Sequence, residues 1–400
     1  MISSKFFHIP SKSRREREFS PHPFIGVFQE FIMGRFGLYL HIPFCDGKCH
    51  YCSFFCRRMD SASMDEYTMR LCAAVASWGG KIDKTVNSVY FGGGTPSLLG
   101  HRRLIGIFDT IRKSFAIADD AEITVEVNPS SADGLDFAML KRAGFNRLSI
   151  GLQSSNDNEL RLLGRRHSAA DAKHTVEAAK AAGFDNISLD VMLAIPEQTK
   201  DSLCRTLDFC AGCGVRHISA YILKIEEGTR FYRDRDTLGL FDDDAQAAIY
   251  EYAVERLGQL GYHQYEISNF AVDGFESRHN LLYWHDEEYL GLGPSAHSFI
   301  GGKRFYYDNS FEAFYADRIA DEGSGGDEDE YIMLALRLSE GLVFEEFEKR
   351  FSHPVSEKIL NAARRIEANG LVKLTPSSLS LTVKGFLVSN SVIAYLLQNT

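Results

Sequence analysis

Between residues 37 and 223 the chain alternates short apolar runs with longer stretches whose apolar residues recur every three or four positions. The runs cover residues 37–44, 86–91, 122–127, 147–152, 187–192 and 217–223, and the helix-like stretches include 66–77, 103–115, 170–182 and 245–260. Gly144, Gly183, Gly214 and Gly261 follow helical stretches, where a left-handed residue ends the last turn. Repeated strand–helix units demand a parallel sheet with right-handed crossovers. Six such units in a row predict an α/β fold, a partial or full (β/α) barrel of the TIM type.

The rest of the chain reads differently. Residues 1–34 hold Arg14, Arg15 and Arg17 without a clear pattern, and are expected to be a poorly ordered extension or a mis-assigned start. Residues 35–270 form the expected barrel core, and 271–325 a connecting region. Residues 321–330 are acidic and glycine-rich, the composition of a solvated linker. Residues 326–400 form a small C-terminal part. There, helical stretches at 330–338, 344–351 and 355–369 precede a hairpin at 371–374 and 380–382, a winged-helix-like order.

A net charge of −10 excludes phosphate-backbone binding as the main task, since nucleic acid needs a basic face. No apolar run approaches the roughly 20 residues of a transmembrane helix. Eight unevenly spaced cysteines do not form a disulfide framework, so a reducing, cytoplasmic setting is expected.

In a parallel barrel, chemistry sits at the carboxyl ends of the strands. Here those ends are polar. The first strand leads into Cys45, Cys49 and Cys52, spaced C-x3-C-x2-C. Three thiolates can hold three corners of a 4Fe-4S cluster and leave one iron open. Structural zinc suits them poorly without a fourth ligand. The second strand ends in Gly92-Gly93-Gly94-Thr95-Pro96, backbone that a ligand can approach closely. Glu126, Gln153 and Asp190 lie in strands that should otherwise be apolar, so each needs a partner.

These motifs together resemble the radical S-adenosylmethionine (SAM) superfamily. Tyr39-Leu-His-Ile-Pro-Phe, Glu126-Val-Asn-Pro, Ser149-Ile-Gly-Leu-Gln153-Ser, Leu163-Gly-Arg165-Arg-His167 and Leu189-Asp190 are similar to its oxygen-independent coproporphyrinogen III oxidase-like branch over about residues 35–395. The resemblance implies that the open iron chelates SAM. It further implies that Gly93 and Gly94 meet the SAM amino group, that Thr95 belongs to the same SAM site, and that Glu126 and Arg165 hold the amino-acid part of SAM. Gln153 and Asp190 would take the ribose, while Tyr39 and Tyr51 line the pocket, Tyr51 beside the adenine.

Within the branch, the oxidase carries a further cysteine two residues past the third, where this chain has Phe54. Phe54, with His279-Asn280-Leu-Leu-Tyr283-Trp284, resembles the HemW heme chaperone group instead. That resemblance implies heme as cargo, apo-hemoprotein recipients such as membrane respiratory enzymes, and an electron donor such as flavodoxin or ferredoxin. His279, Tyr283 and Trp284 become heme candidates, because imidazole is the usual axial ligand. The alternative is a genuine coproporphyrinogen III dehydrogenase. Two departures stand out. Ala194 occupies a position where the branch has glycine, and Cys56 is an extra thiol, expected to be incidental.

Overall fold

The computed structural model describes residues 34–58 and 60–398, so residues 1–33 of the expected extension lie outside it. Six strands follow in chain order: β1 (Phe36–Ile42), β2 (Val86–Gly93), β3 (Ile117–Val127), β4 (Arg147–Gln153), β5 (Asn186–Leu193) and β6 (His217–Ile222). Each pairs in parallel with the next. Their near-continuous apolar runs follow from burial on both faces; in β1 only Tyr39 is not fully buried. The crossover helices begin where the sequence supplies caps. Ser168 with Asp171, and Thr199 with Ser202, form reciprocal capping boxes.

The barrel is partial. Beyond β6 come antiparallel β8 (Asn269–Ala271) and β7 (His263–Gln264). On the other side β1 takes a parallel partner, β9 (Glu288–Leu292), followed by antiparallel β10 (His297–Ile300), β11 (Lys303–Tyr307) and β12 (Ile319–Ser324). The result is one open sheet of twelve strands. The segment read as a connecting region therefore completes the sheet.

The expected linker is also corrected. Ile319–Ser324 is an edge strand, and Asp327 caps the helix Glu328–Ala335. An edge strand wet on both faces carries no apolar alternation, which is why its composition read as linker.

The C-terminal part adds helices Phe344–Phe351 and Glu357–Glu367 and a small sheet ordered β13 (Leu342–Val343), β15 (Ser378–Leu381), β14 (Val372–Leu374). Helices Val383–Leu387 and Ser389–Leu397 close it. One apolar core runs from the barrel into this part. A buried ion cluster fastens the two together. Asp286, with no exposed side-chain surface, accepts hydrogen bonds from Arg304 (3.0 Å) and from Arg350 of helix Phe344–Phe351 (2.7 Å). Removing one partner of such a cluster leaves a charge buried without compensation.

Candidate functional site

The cysteine loop leaves β1 and folds back on itself. The Cys45 amide donates to the Arg57 carbonyl (3.1 Å), and the Arg57 amide to that of Pro43 (2.8 Å). A tight turn sets the Cys52 amide on the Cys49 carbonyl (3.2 Å). All three thiols are half-buried. Burial pushes the Cys52 thiol up to about 11. Among the described residues, no three His, Cys, Asp or Glu side chains converge as one metal ion would need. Cys56, expected to be incidental, is in hydrogen-bond contact with Cys45. That contact raises the Cys45 thiol and, together with Lys48 and Arg57, lowers Cys56 to about 7.

Around this loop the strand ends converge. The Cys45 sulfur lies 3.5 Å from the hydroxyl of buried Thr95. At the end of β2 the Gly93 amide donates to Glu126 Oε2 (3.2 Å), and the Tyr90 hydroxyl donates to Oε1 (2.9 Å). Gly93 has φ +114°, and a Cβ there would stand 2.7 Å from the His41 ring; at Gly94 it would meet the Phe44 carbonyl at 2.6 Å. Neither position tolerates a side chain, so this stretch presents bare backbone. His41 supports it from below. Its Nδ1 accepts from the Tyr39 hydroxyl (3.0 Å) and its Nε2 donates to the Phe55 carbonyl (3.2 Å), tying β1 to the cysteine loop.

Arg165 crosses the mouth. Its guanidinium donates to Asn128 Oδ1 (3.1 Å), to the Gly151 carbonyl (2.8 Å) and to the Cys49 sulfur (3.6 Å), while its buried Nε has no partner. Burial pushes the Glu126 carboxyl up to about 8. Asp190 accepts from Ser149 (3.0 Å) and Ser219, and burial raises its carboxyl too. Gln153 ends β4 at φ +70°, beside Gly151 and the Arg165 fork. Tyr51 lies against a satellite apolar cluster of Leu163, Met192, Ile195, Leu223 and Phe231. A buried carboxyl whose charge burial disfavours, an orphaned guanidinium nitrogen and bare glycine backbone fit a zwitterionic amino-acid ligand.

The structure thus brings together Cys45, Cys49, Cys52, Gly93, Gly94, Thr95, Glu126, Gln153, Arg165 and Asp190, with Tyr39 below them. It also shows supporting residues that sequence reading missed: Tyr90, His41, Ser149 and Asn128. The first three face inward along β1, β2 and β4, so the alternation of inward polar residues is the signal that marks them.

The heme candidates are not at this mouth. His279, Tyr283 and Trp284 lie on the helix Arg278–Trp284, which packs against the opposite, N-terminal end of the barrel. His279 is 1% exposed, with Nδ1 on the Ser88 hydroxyl (2.8 Å) and Nε2 on the Tyr283 hydroxyl (2.9 Å). Its ring stacks on Tyr90 at 5.0 Å. Glu122 accepts from the first amides of this helix, at Arg278 (3.2 Å) and His279 (3.0 Å), and sits 4.0 Å from buried Arg147. The helix plugs the barrel floor. The expectation that His279 offers a nitrogen to heme is corrected, because both ring nitrogens are engaged and enclosed.

Residues 39–210 match the model of the radical SAM superfamily, and residues 329–388 that of the HemN C-terminal domain. The chain is 36% identical over 377 residues to the heme chaperone HemW of Mycobacterium tuberculosis, covering 90% of this chain and 95% of that one. It is 33% identical over 368 residues to the heme chaperone HemW of Bacillus subtilis, covering 88% and 97%. Among solved structures, coproporphyrinogen III oxidase (HemN) from Escherichia coli, a radical SAM enzyme, superposes with a TM-score of 0.77 at 22% identity, over 91% of this chain and 90% of that one.

Proposed function

The chain belongs to the HemW family of the radical SAM superfamily, and we propose that it is a heme chaperone that binds heme and passes it to apo-hemoproteins. Phe54 carries this reading. It stands two residues past Cys52, where the oxidase places another cysteine, on a loop otherwise built for a cluster. In this reading Cys45, Cys49 and Cys52 hold a 4Fe-4S cluster. When bound, that cluster with SAM supplies one-electron chemistry at the barrel mouth. The chain's own residues do the holding. Glu126 pairs with the SAM ammonium, Arg165 presents its spare Nε to the carboxylate, and Asp190 and Gln153 take hydroxyls. Among the described residues no helix is long and apolar enough to cross a membrane. Membrane respiratory enzymes would therefore be reached as docking recipients, with flavodoxin or ferredoxin as the electron source.

The test is anaerobic. Cluster-loaded protein should bind heme and transfer it to an apo-hemoprotein. With SAM, reductant and coproporphyrinogen III it should give no protoporphyrinogen. Robust product formation would establish the oxidase alternative and end the chaperone reading.

A further inference from the structure

The mouth carries backbone strain that the residues named so far do not account for. Seven non-glycine residues have a left-handed backbone among the described residues, and three of them stand at the ends of β4 and β5: Gln153 at φ +70°, Ala194 at +57° and Glu197 at +66°. Such conformations persist only where neighbouring contacts enforce them, and they gather at binding sites. After β5 the chain turns through Pro196 and Glu197, and the turn is closed by the Gln198 amide on the Ile195 carbonyl (2.8 Å).

That turn sends the Gln198 side chain back into the protein, where it is buried. Its Oε1 accepts from the Ala194 amide (2.8 Å), and its Nε2 donates to the Met192 carbonyl (3.2 Å). One carboxamide thus grips the end of β5 on both sides of Leu193. The same Nε2 reaches Oε2 of Glu159 (3.4 Å), a buried carboxyl on the helix Asp157–Leu162. Glu159 Oε2 also accepts from the hydroxyl of buried Ser154 (2.6 Å), the residue that follows Gln153. The helix of Glu159 then leads to Arg165: the Leu163 amide donates to the Glu159 carbonyl (3.0 Å) and the Arg165 amide to that of Leu160 (2.9 Å). Gln198 and Glu159 therefore join the end of β4, the end of β5 and the base of Arg165. Met192 and Ile195, at the gripped turn, belong to the apolar cluster against Tyr51.

We propose that Gln198 and Glu159 are positioning residues of the SAM site, a buried clasp that holds the strained β5 turn and the Ser154 corner in the arrangement that accepts the nucleoside half of SAM. The proposal rests on the SAM reading of the mouth and deepens it. Ala194 explains why the clasp is needed. Glycine, which the related branch has at this position, enters the left-handed region unaided, whereas alanine must be held there. Both clasp residues are enclosed, so they act through the residues they hold.

The experiment titrates SAM into the anaerobic, cluster-loaded full chain, following binding by equilibrium dialysis and by the electron paramagnetic resonance spectrum of the reduced cluster. Gln198→Met, close in volume but unable to make either hydrogen bond, should weaken SAM binding by about five- to thirtyfold, the scale of one left-handed alanine left unsupported. Adding Ala194→Gly to Gln198→Met should recover most of that affinity, because glycine needs no clasp. Wild-type affinity in folded Gln198→Met overturns the proposal. So does a double variant that regains the wild-type melting temperature without regaining SAM affinity. Hydrogen exchange on the unaltered chain reads the same turn without any variant: SAM should slow exchange of the Ala194 amide, and unchanged exchange in the SAM-bound chain overturns the clasp while leaving SAM binding intact. A cluster-loaded wild-type chain that binds no SAM overturns the SAM reading itself, and the clasp with it.

Discussion

The floor and the mouth of the barrel are built from one vocabulary of His, Tyr, Ser, Glu and Arg. At the floor each word is used up: His279 spends both nitrogens on Ser88 and Tyr283, and Glu122 takes two helix amides beside Arg147. At the mouth the same groups are left incomplete. Arg165 keeps a buried Nε without a partner, and Glu126 sits where burial disfavours its charge. Polar residues inside a parallel barrel therefore do not mark a site by their type. The orphaned Arg165 nitrogen sets the mouth apart from the floor, although single buried hydroxyls such as that of Thr124 also lack a partner.

The largest effect expected from this contrast is at the cysteines. Cys45→Ser, Cys49→Ser or Cys52→Ser should each abolish the brown absorbance after anaerobic reconstitution, with folding kept. Retained absorbance would remove the cluster from the mouth. At the floor, His279→Ala should act on stability alone. It strands two hydroxyls and opens a cavity, together about 2–5 kcal/mol. The thermal melt should drop steeply while hemin affinity stays as it was; lost affinity in a folded variant would break the division between floor and mouth.

The smallest effect is a pH dependence with opposite limbs. His279 is held down to about 3 and His41 to about 4 by burial. Below the unfolded histidine value of about 6.5 the unfolded chain binds more protons, so acidification lowers stability. Glu126 is raised to about 8 and Glu266 to about 7, again by burial. From about 4.5 upward the native state binds more protons than the unfolded one, so stability falls as pH rises through these values. Between pH 6.5 and 8.5 the histidine limb is silent; the raised carboxylates lower stability as pH rises, and the Cys56 thiol, lowered to about 7, opposes them in part. SAM-free protein should melt progressively lower across that range, and Glu126→Gln should flatten the decline. A flat wild-type profile would show that the mouth carboxylate is not desolvated.

Strands β1 to β6 were legible in the sequence because burial on both faces writes an unbroken apolar run. The flanking strands were not. β7 has two residues and β8 three, too few to display a period, and β12 is an edge wet on both sides. The mouth was legible from the cysteines, the glycine triplet and the isolated charges in strands. The role of His279 was not, since no local pattern says which end of a barrel a seven-residue helix will close. Ala194 was legible as a departure, and its φ of +57° gives the reason: the turn needs a left-handed residue, held here by a hydrogen bond from its backbone N–H to Gln198 Oε1 (2.8 Å).

The pairing of Phe36–Ile42 with Glu288–Leu292 also sets an order in time. During synthesis the strand that leads into the three thiols emerges early, while the neighbour that covers one of its edges is among the later segments to leave the ribosome. Until then the edge is an open template for pairing with other chains, and the cysteine loop hangs from it. The surroundings of the cysteine loop are therefore finished only when most of the polypeptide exists, and a cluster held there would be loaded late.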